Sequence, residues 1–139
     1  MYGDENALVV ACNAMSEILT IFELKAWQKA RLLRMQISRI TKDFPAEEKY
    51  RLTDQVIRSS RSIVANIAEG FGCYYYNASI KYYRHARGSL IETMEHVSCA
   101  YDEGYMAKEI CIDFFKMSEE LKMLINGLIR SQNTSKKKP

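Results

Sequence analysis

The residues best suited to chemistry fall on one stretch: Tyr82, His85, Ser89, Glu92 and His96, at spacings that bring them to one face of a helix. Helical bundles bind metal through Glu-x-x-His pairs on two helices, with a further Glu from each of the other two. Here Glu92 and His96 are four apart, no Glu-x-x-His occurs, and no second stretch supplies a matching pair. An ordinary i,i+4 pair on a polar helix face explains them more simply. Cys12, Cys73, Cys99 and Cys111 form no Cys-x-x-Cys and lack zinc-ligand spacing, so they read as reduced, packed thiols of a cytoplasmic protein. Glu69 beside Asn66 offers a carboxylate, but no nucleophile–base pair accompanies it, and capping around Gly70 is the plainer role. Dinucleotide, Walker, Gly-x-Ser-x-Gly and His-Glu-x-x-His signatures are absent. The expectation is a protein that is not an enzyme, with no metal and no cofactor.

The stronger signal is charge. Residues 23–62 carry ten Lys/Arg against five Asp/Glu, whereas residues 63–100 balance at three of each. Lys25, Lys29, Arg31, Arg34, Arg51, Arg58, Arg61, Lys81, Arg84 and Arg87 are candidate phosphate ligands, and Lys136-Lys137-Lys138 adds a basic tail. From charge alone a solvated surface is the plainer reading. Tyr74-Tyr75-Tyr76 is suited to stacking on unpaired bases; packing over a bundle end is the competing and simpler role. No helix-turn-helix or RNA-recognition motif argues for sequence-specific readout.

Those residues are positioned by long helices. The first is expected over about 22–42, with Trp27, Ala30, Leu33, Ile37 and Ile40 on its apolar stripe and Asp43-Phe44-Pro45 as its stop. The second runs from Ala46 or Tyr50 to Glu69, ended by Gly70 and Gly72. Its seam is Leu52, Val56, Ile63 and Ile67, with Ser60 in the gap. Beside the seam lies a polar stripe of Gln55, Arg58, Ser59, Ser62, Asn66 and Glu69, too rich in small residues for a solvated face. That stripe predicts a second packing surface. A third helix, about 78–101 and capped by Asn77, buries Ile80, Tyr83, Ala86, Leu90, Met94, Val97 and Tyr101. A fourth, about 107–130, has the most regular seam: Ile110, Phe114, Met117, Leu121, Leu124 and Leu128.

Gly88, opposite the third helix's seam, predicts a close backbone approach by a neighbouring subunit. A tolerated surface glycine is the alternative. Ser62, Asn66, Glu69, Gly70, Gly88, Ser89 and Glu92 are thus expected at bundle and subunit contacts. At 139 residues and 47% hydrophobic content the chain fills one core. Short connections make it an all-α, antiparallel up-down-up-down four-helix bundle. Residues 1–21 read as a partly helical or disordered appendage, 22–131 as the bundle and 132–139 as a flexible basic tail. Met1 and Met15 both stand as starts. The apolar run Ala7–Ala11 is too short to span a bilayer and follows acids, so neither a membrane span nor a secretory signal is expected.

Four segments together resemble a bacterial family. They are Phe22-Glu-Leu-Lys-Ala-Trp-Gln-Lys-Ala30, Phe44-Pro45 with Glu48 and Tyr50, Ser62-Ile-Val-Ala-Asn-Ile-Ala-Glu-Gly70, and Ala86-Arg-Gly-Ser-Leu-Ile-Glu92. The family is that of four-helix-bundle proteins encoded by intervening sequences of large-subunit ribosomal RNA genes. The accessory variability protein of diversity-generating retroelements is similar to it. The resemblance covers about 22–130 and implies a ring-like homopentamer without catalytic residues. It also implies a preference for RNA and, from the retroelement branch, a reverse transcriptase as partner. The alternative is a scaffold that docks a protein through the basic face, with nucleic acid incidental. Residues 1–21 and Tyr74–Tyr76 lie outside the resemblance.

Overall fold

Val56, Ser60, Ile63 and Ile67 form an unbroken buried line along one helix, each no more than 1% exposed. Full burial of each of its aliphatic side chains contributes roughly 1.5–3 kcal/mol. Ser60 fits within it because its hydroxyl donates to the Ile57 carbonyl at 2.9 Å. In the computed structural model, which describes Ala7 and residues 20–136, the line belongs to α2 (Leu52–Gly72). The other helices are α1 (Lys25–Ile40), α3 (Tyr76–Asp102) and α4 (Lys108–Lys136). Single 3₁₀ turns lie at Ile21–Glu23, Thr41–Asp43 and Ala46–Glu48. Apart from Ala7, the expected appendage up to residue 19 (including Cys12 and the choice of Met1 or Met15) lies outside the described residues, as do Lys137 and Lys138.

The architecture is the expected all-α, antiparallel four-helix bundle. The α2–α3 interface is the most extensive and the α1–α4 seam closes the bundle. Phe44-Pro45 stops α1 as expected, but α1 ends at Ile40 and tightens into a 3₁₀ turn. Phe44 stacks against Tyr105 with ring centroids 5.5 Å apart, and the Tyr105 hydroxyl donates to Glu48 at 3.2 Å. The second carboxylate oxygen of Glu48 accepts from the Leu52 amide at 3.0 Å, capping α2. One acid thus joins the α1–α2 turn to the α3–α4 turn. Gly104, at φ 78°, supplies the left-handed residue that ends α3.

Several boundaries and seams differ from expectation for identifiable reasons. Gly70 does not end α2. A Cβ there would lie 2.5 Å from Cε1 and 2.7 Å from Cδ1 of Tyr83, so the glycine makes room for a buried ring inside a continuing helix. The capping role expected for Glu69 lapses with that end. α2 runs on to Gly72, and α3 starts earlier than expected, at Tyr76. Asn77 therefore sits in its first turn and not at its cap.

On α4, Phe114 and Leu121 are buried as expected, but Cys111, Ser118, Ile125 and Ile129 complete the inner line. Ile110 is exposed, and Met117, Leu124 and Leu128 flank the core. Small groups face inward where the helices approach closely, and Ser118 satisfies itself by donating to the Phe114 carbonyl at 2.8 Å. On α3 the same selection buries Thr93 and Ala100, while Met94 flanks the core and Tyr101 is exposed. On α1, Trp27, Ala30, Leu33 and Ile37 are buried as expected, and Ile40 is half-buried. α4 continues past its expected end to Lys136. Among the described residues, no helix is long and apolar enough to cross a membrane.

Candidate nucleic-acid interface

The polar stripe of α2 does have a packing partner, and for Ser59 and Ser62 that partner is α3 of the same chain. Ser62 and Ser89 hydroxyls lie 2.8 Å apart, and Asn66 Nδ2 donates to the Ser62 carbonyl at 2.9 Å. The Thr93 hydroxyl donates to Ser59 at 2.8 Å, and Ser59 donates to the Val56 carbonyl at 3.2 Å. Small side chains allow this approach and hydrogen bonds satisfy what is buried. Gln55, Arg58 and Glu92 edge a shallow recess beside Ser59 and Ser62. Glu92 and His96 form the i,i+4 pair at 3.3 Å. Glu69 is exposed, and a Cβ at Gly88 would meet nothing within 4 Å.

The ten candidate cations do not share one surface. Arg31, Arg34 and Arg61 line a recess of about 280 Å³ between α1 and α2, with Ser38 and Ser60. Burial, and then the neighbouring charges of Arg31 and Arg61, hold the Arg34 guanidinium below its ordinary pKa. Arg31 also stands over the Trp27 ring at 6.0 Å. Lys29 is ion-paired with Glu120, Arg58 with Asp54 at 3.6 Å, and Arg87 donates to Asn126 at 2.8 Å. Lys25 borders a long groove between α1 and α4 that also contains Leu32, Met123 and Leu124. Arg51 is exposed at the start of α2.

Lys81 and Arg84 lie at the opposite end of the bundle from the Glu48–Tyr105 contact. They line a recess of about 400 Å³ between α3 and α4, together with Asn77, Ile80, His85, Asn133 and Lys136. Tyr74, Tyr75 and Tyr76 immediately precede Asn77 in the chain. Their expected packing over the bundle end is not what the structure shows. Tyr74 is 89% exposed and Tyr75 73%, with rings edge-to-face at 5.1 Å, and Tyr76 is also exposed. Only three residues, Cys73–Tyr75, connect α2 to α3, too few to fold these rings back. Asn77, His85 and Asn133 were not among the expected phosphate ligands. Their only signal in the sequence is helical register with Lys81, Arg84 and Lys136.

Among the described residues, no group of three or more His, Cys, Asp or Glu is arranged to hold a metal ion. Cys73, Cys99 and Cys111 are free thiols. Cys111 is packed as expected, and burial, with nearby Asp102 second, raises its pKa and keeps it protonated, whereas Cys99 is exposed and not packed.

Comparison with known proteins agrees with this fold. A protein of unknown function from the S23 ribosomal protein family of Bacteroides thetaiotaomicron, solved by crystallography, superposes with a TM-score of 0.69 at 23% identity. The match covers 75% of this chain and 97% of that one, and at such identity it speaks for the fold alone. No curated protein matches the chain. The family described as 23S rRNA-intervening sequence protein matches residues 22–127, most of the bundle. The chain belongs to the family of 23S rRNA-intervening sequence proteins.

Proposed function

We propose that this protein is a non-enzymatic accessory that binds single-stranded or looped RNA at one end of the bundle and acts as a homo-oligomer, a pentamer by family resemblance. The observation that carries the reading is the exposed Tyr74–Tyr76 run leading directly into a basic recess that includes Lys81, Arg84 and Lys136. Exposed rings beside cations form the combination that holds unpaired nucleic acid: bases stack on the rings while the phosphates follow the positive groove. Tyrosines this exposed contribute nothing to the core, so their place beside a basic groove favours a binding role. Gly88, open on the outer face of α3, is the proposed place of close subunit approach. A reverse transcriptase and its template RNA are the partners that the retroelement resemblance would supply in the cytoplasm.

The test is a titration of the full chain, its mass fixed by light scattering, against unpaired RNA, RNA hairpins and duplex DNA at 50 and 200 mM salt. Three phosphates neutralised on a single strand give a log–log salt slope of about −2, or roughly twentyfold weaker binding over that range. Affinity that does not change with salt, or that is unaffected by loss of Tyr74 and Tyr75, overturns the reading.

A second reading rests on the groove between α1 and α4. Its apolar lining, with Met123 69% exposed, suits a protein partner. In that case the bundle is a scaffold, and a partner stays bound after nuclease treatment.

A further inference from the structure

The groove between α1 and α4 is longer than a single recess. One part, of about 670 Å³, lies between the start of α1 and the end of α4, with Leu32, Met123 and Leu124 in its walls. Another, of about 630 Å³, lies between the end of α1 and the start of α4, with Ile40, Ile110 and Met117. Leu32 lines both, so together they form one trough along the length of α1. Its walls carry five Lys/Arg against two acids, Asp113 and Glu120. Two side-chain oxygens, Thr20 Oγ1 just ahead of α1 and Gln36 Oε1 in the trough wall, are shielded from solvent without a hydrogen-bond partner. Such atoms are costly unless further chain completes their surroundings.

The stretch that leads into α1 has the complementary character. Leu8, Ala11, Cys12, Met15, Ile18 and Leu19 recur at steps of three and four, the apolar stripe of a helix over 6–19. Asn6, Asn13, Ser16 and Glu17 fall on the opposite side, and Ala7, helical and exposed, falls at the edge of the stripe. Residues 1–24 contain four acids and no Lys or Arg. A helix over 6–19 is about 21 Å long, close to the roughly 24 Å of α1. Extended Thr20 and Leu24 flank the Ile21–Glu23 turn, which breaks the chain away from the axis of α1. Gln28, itself in the trough wall, holds that turn by donating to the Phe22 carbonyl at 2.8 Å.

We propose that residues 6–19 dock in this trough of their own chain as an amphipathic helix antiparallel to α1, covering Leu32, Met117, Met123 and Leu124. Apolar faces meet, and the basic walls receive a segment of opposite net charge. A partner protein that uses the groove must first displace this segment. The inference does not rest on the RNA reading.

The experiment follows Cys12 in the full chain carrying Cys99→Ser, which removes the exposed thiol of α3. Alkylation of Cys12, read by peptide mass spectrometry, is expected to be slow and to accelerate about tenfold or more in Met123→Glu, which sets an acid in the trough. Tyr50→Glu, the same charge change on the α1–α2 turn, should leave the rate unaltered. Met123 and Tyr50 are 69% and 84% exposed, so neither substitution disturbs the core. Antiparallel docking brings Cys12 level with the middle of α1, and mild oxidation should join it to Leu32→Cys or Gln36→Cys within one chain. Rates that are the same with and without Met123→Glu overturn the proposal, as does an equal acceleration in Tyr50→Glu. A disulfide that joins two chains, which assigns the trough to a second copy, or none at either position, overturns it as well.

Discussion

Replacing a glycine by alanine at two positions of this bundle should give changes of opposite sign. At Gly88 a Cβ meets nothing of its own chain within 4 Å, so in the dissociated subunit only helix propensity changes, and Gly88→Ala should stabilise the monomer by up to about 1 kcal/mol while weakening the proposed subunit contact. At Gly70 the same propensity gain is available, but the new methyl would lie 2.5 Å from a carbon of the Tyr83 ring. Tyr83 is 3% exposed and has no open side to retreat to. Overpacking of this kind typically costs about 1–3 kcal/mol, so Gly70→Ala should be destabilising by up to roughly 2 kcal/mol after the propensity gain is deducted. Urea unfolding followed by circular dichroism measures both, with the slope of the transition confirming that the unfolding reaction itself is unchanged. Tyr83→Leu should remove much of the penalty of Gly70→Ala in a double-mutant cycle, because it takes away the clashing ring. A Gly70→Ala protein as stable as Gly88→Ala would refute the claim that ring approach, not backbone freedom, demands the glycine.

Thr93→Val removes the bond to Ser59 inside the α2–α3 interface and should cost about 1 kcal/mol, while Ser62→Ala, at a less buried pair, costs less; thermal midpoints decide. Tyr74→Ala with Tyr75→Ala should weaken binding of unpaired RNA by about 1–3 kcal/mol per stacked base without altering the unfolding midpoint, since both rings are solvent-exposed. Stability should fall as pH rises past the ordinary thiol and phenol values of 9.0 and 10.0. Cys111 and Tyr83 are raised above those values by burial, so the folded chain keeps protons that the unfolded chain releases. That contribution is complete below the unfolded values and is lost above them. Tyr83→Phe with Cys111→Ala should flatten the decline in midpoint measured between pH 8 and 11.

What the sequence reveals here depends on whether a residue's role is local. The α2 seam is legible because its branched aliphatic residues recur at helical period, and the Phe44-Pro45 stop because proline restricts its neighbour. The α4 seam is only half legible. Two apolar lines run side by side there, and the buried one includes Cys111 and Ser118, which pattern reading takes for outsiders. Gly70 reads as a helix end because its actual reason, the Tyr83 ring, comes from another helix. The polar stripe of α2 correctly announces a second packing surface, yet spacing alone does not say that Ser62 meets Ser89 of the same chain. The cations are visible as a count. Their division among several separate surfaces follows from helix orientation, which charge statistics do not carry.

Glu48 and Tyr105 are 57 positions apart, so their contact has consequences for the order of events in folding. It cannot form until α1 has turned into α2, α3 has turned into α4, and the two hairpins have met. Contacts that wait on so much prior chain closure contribute little to the transition state for folding. Tyr105→Phe should therefore leave the folding rate nearly unchanged and appear instead as faster unfolding. The contact would act as a kinetic clasp at one end of the bundle, slowing its opening once the rest of the molecule has assembled.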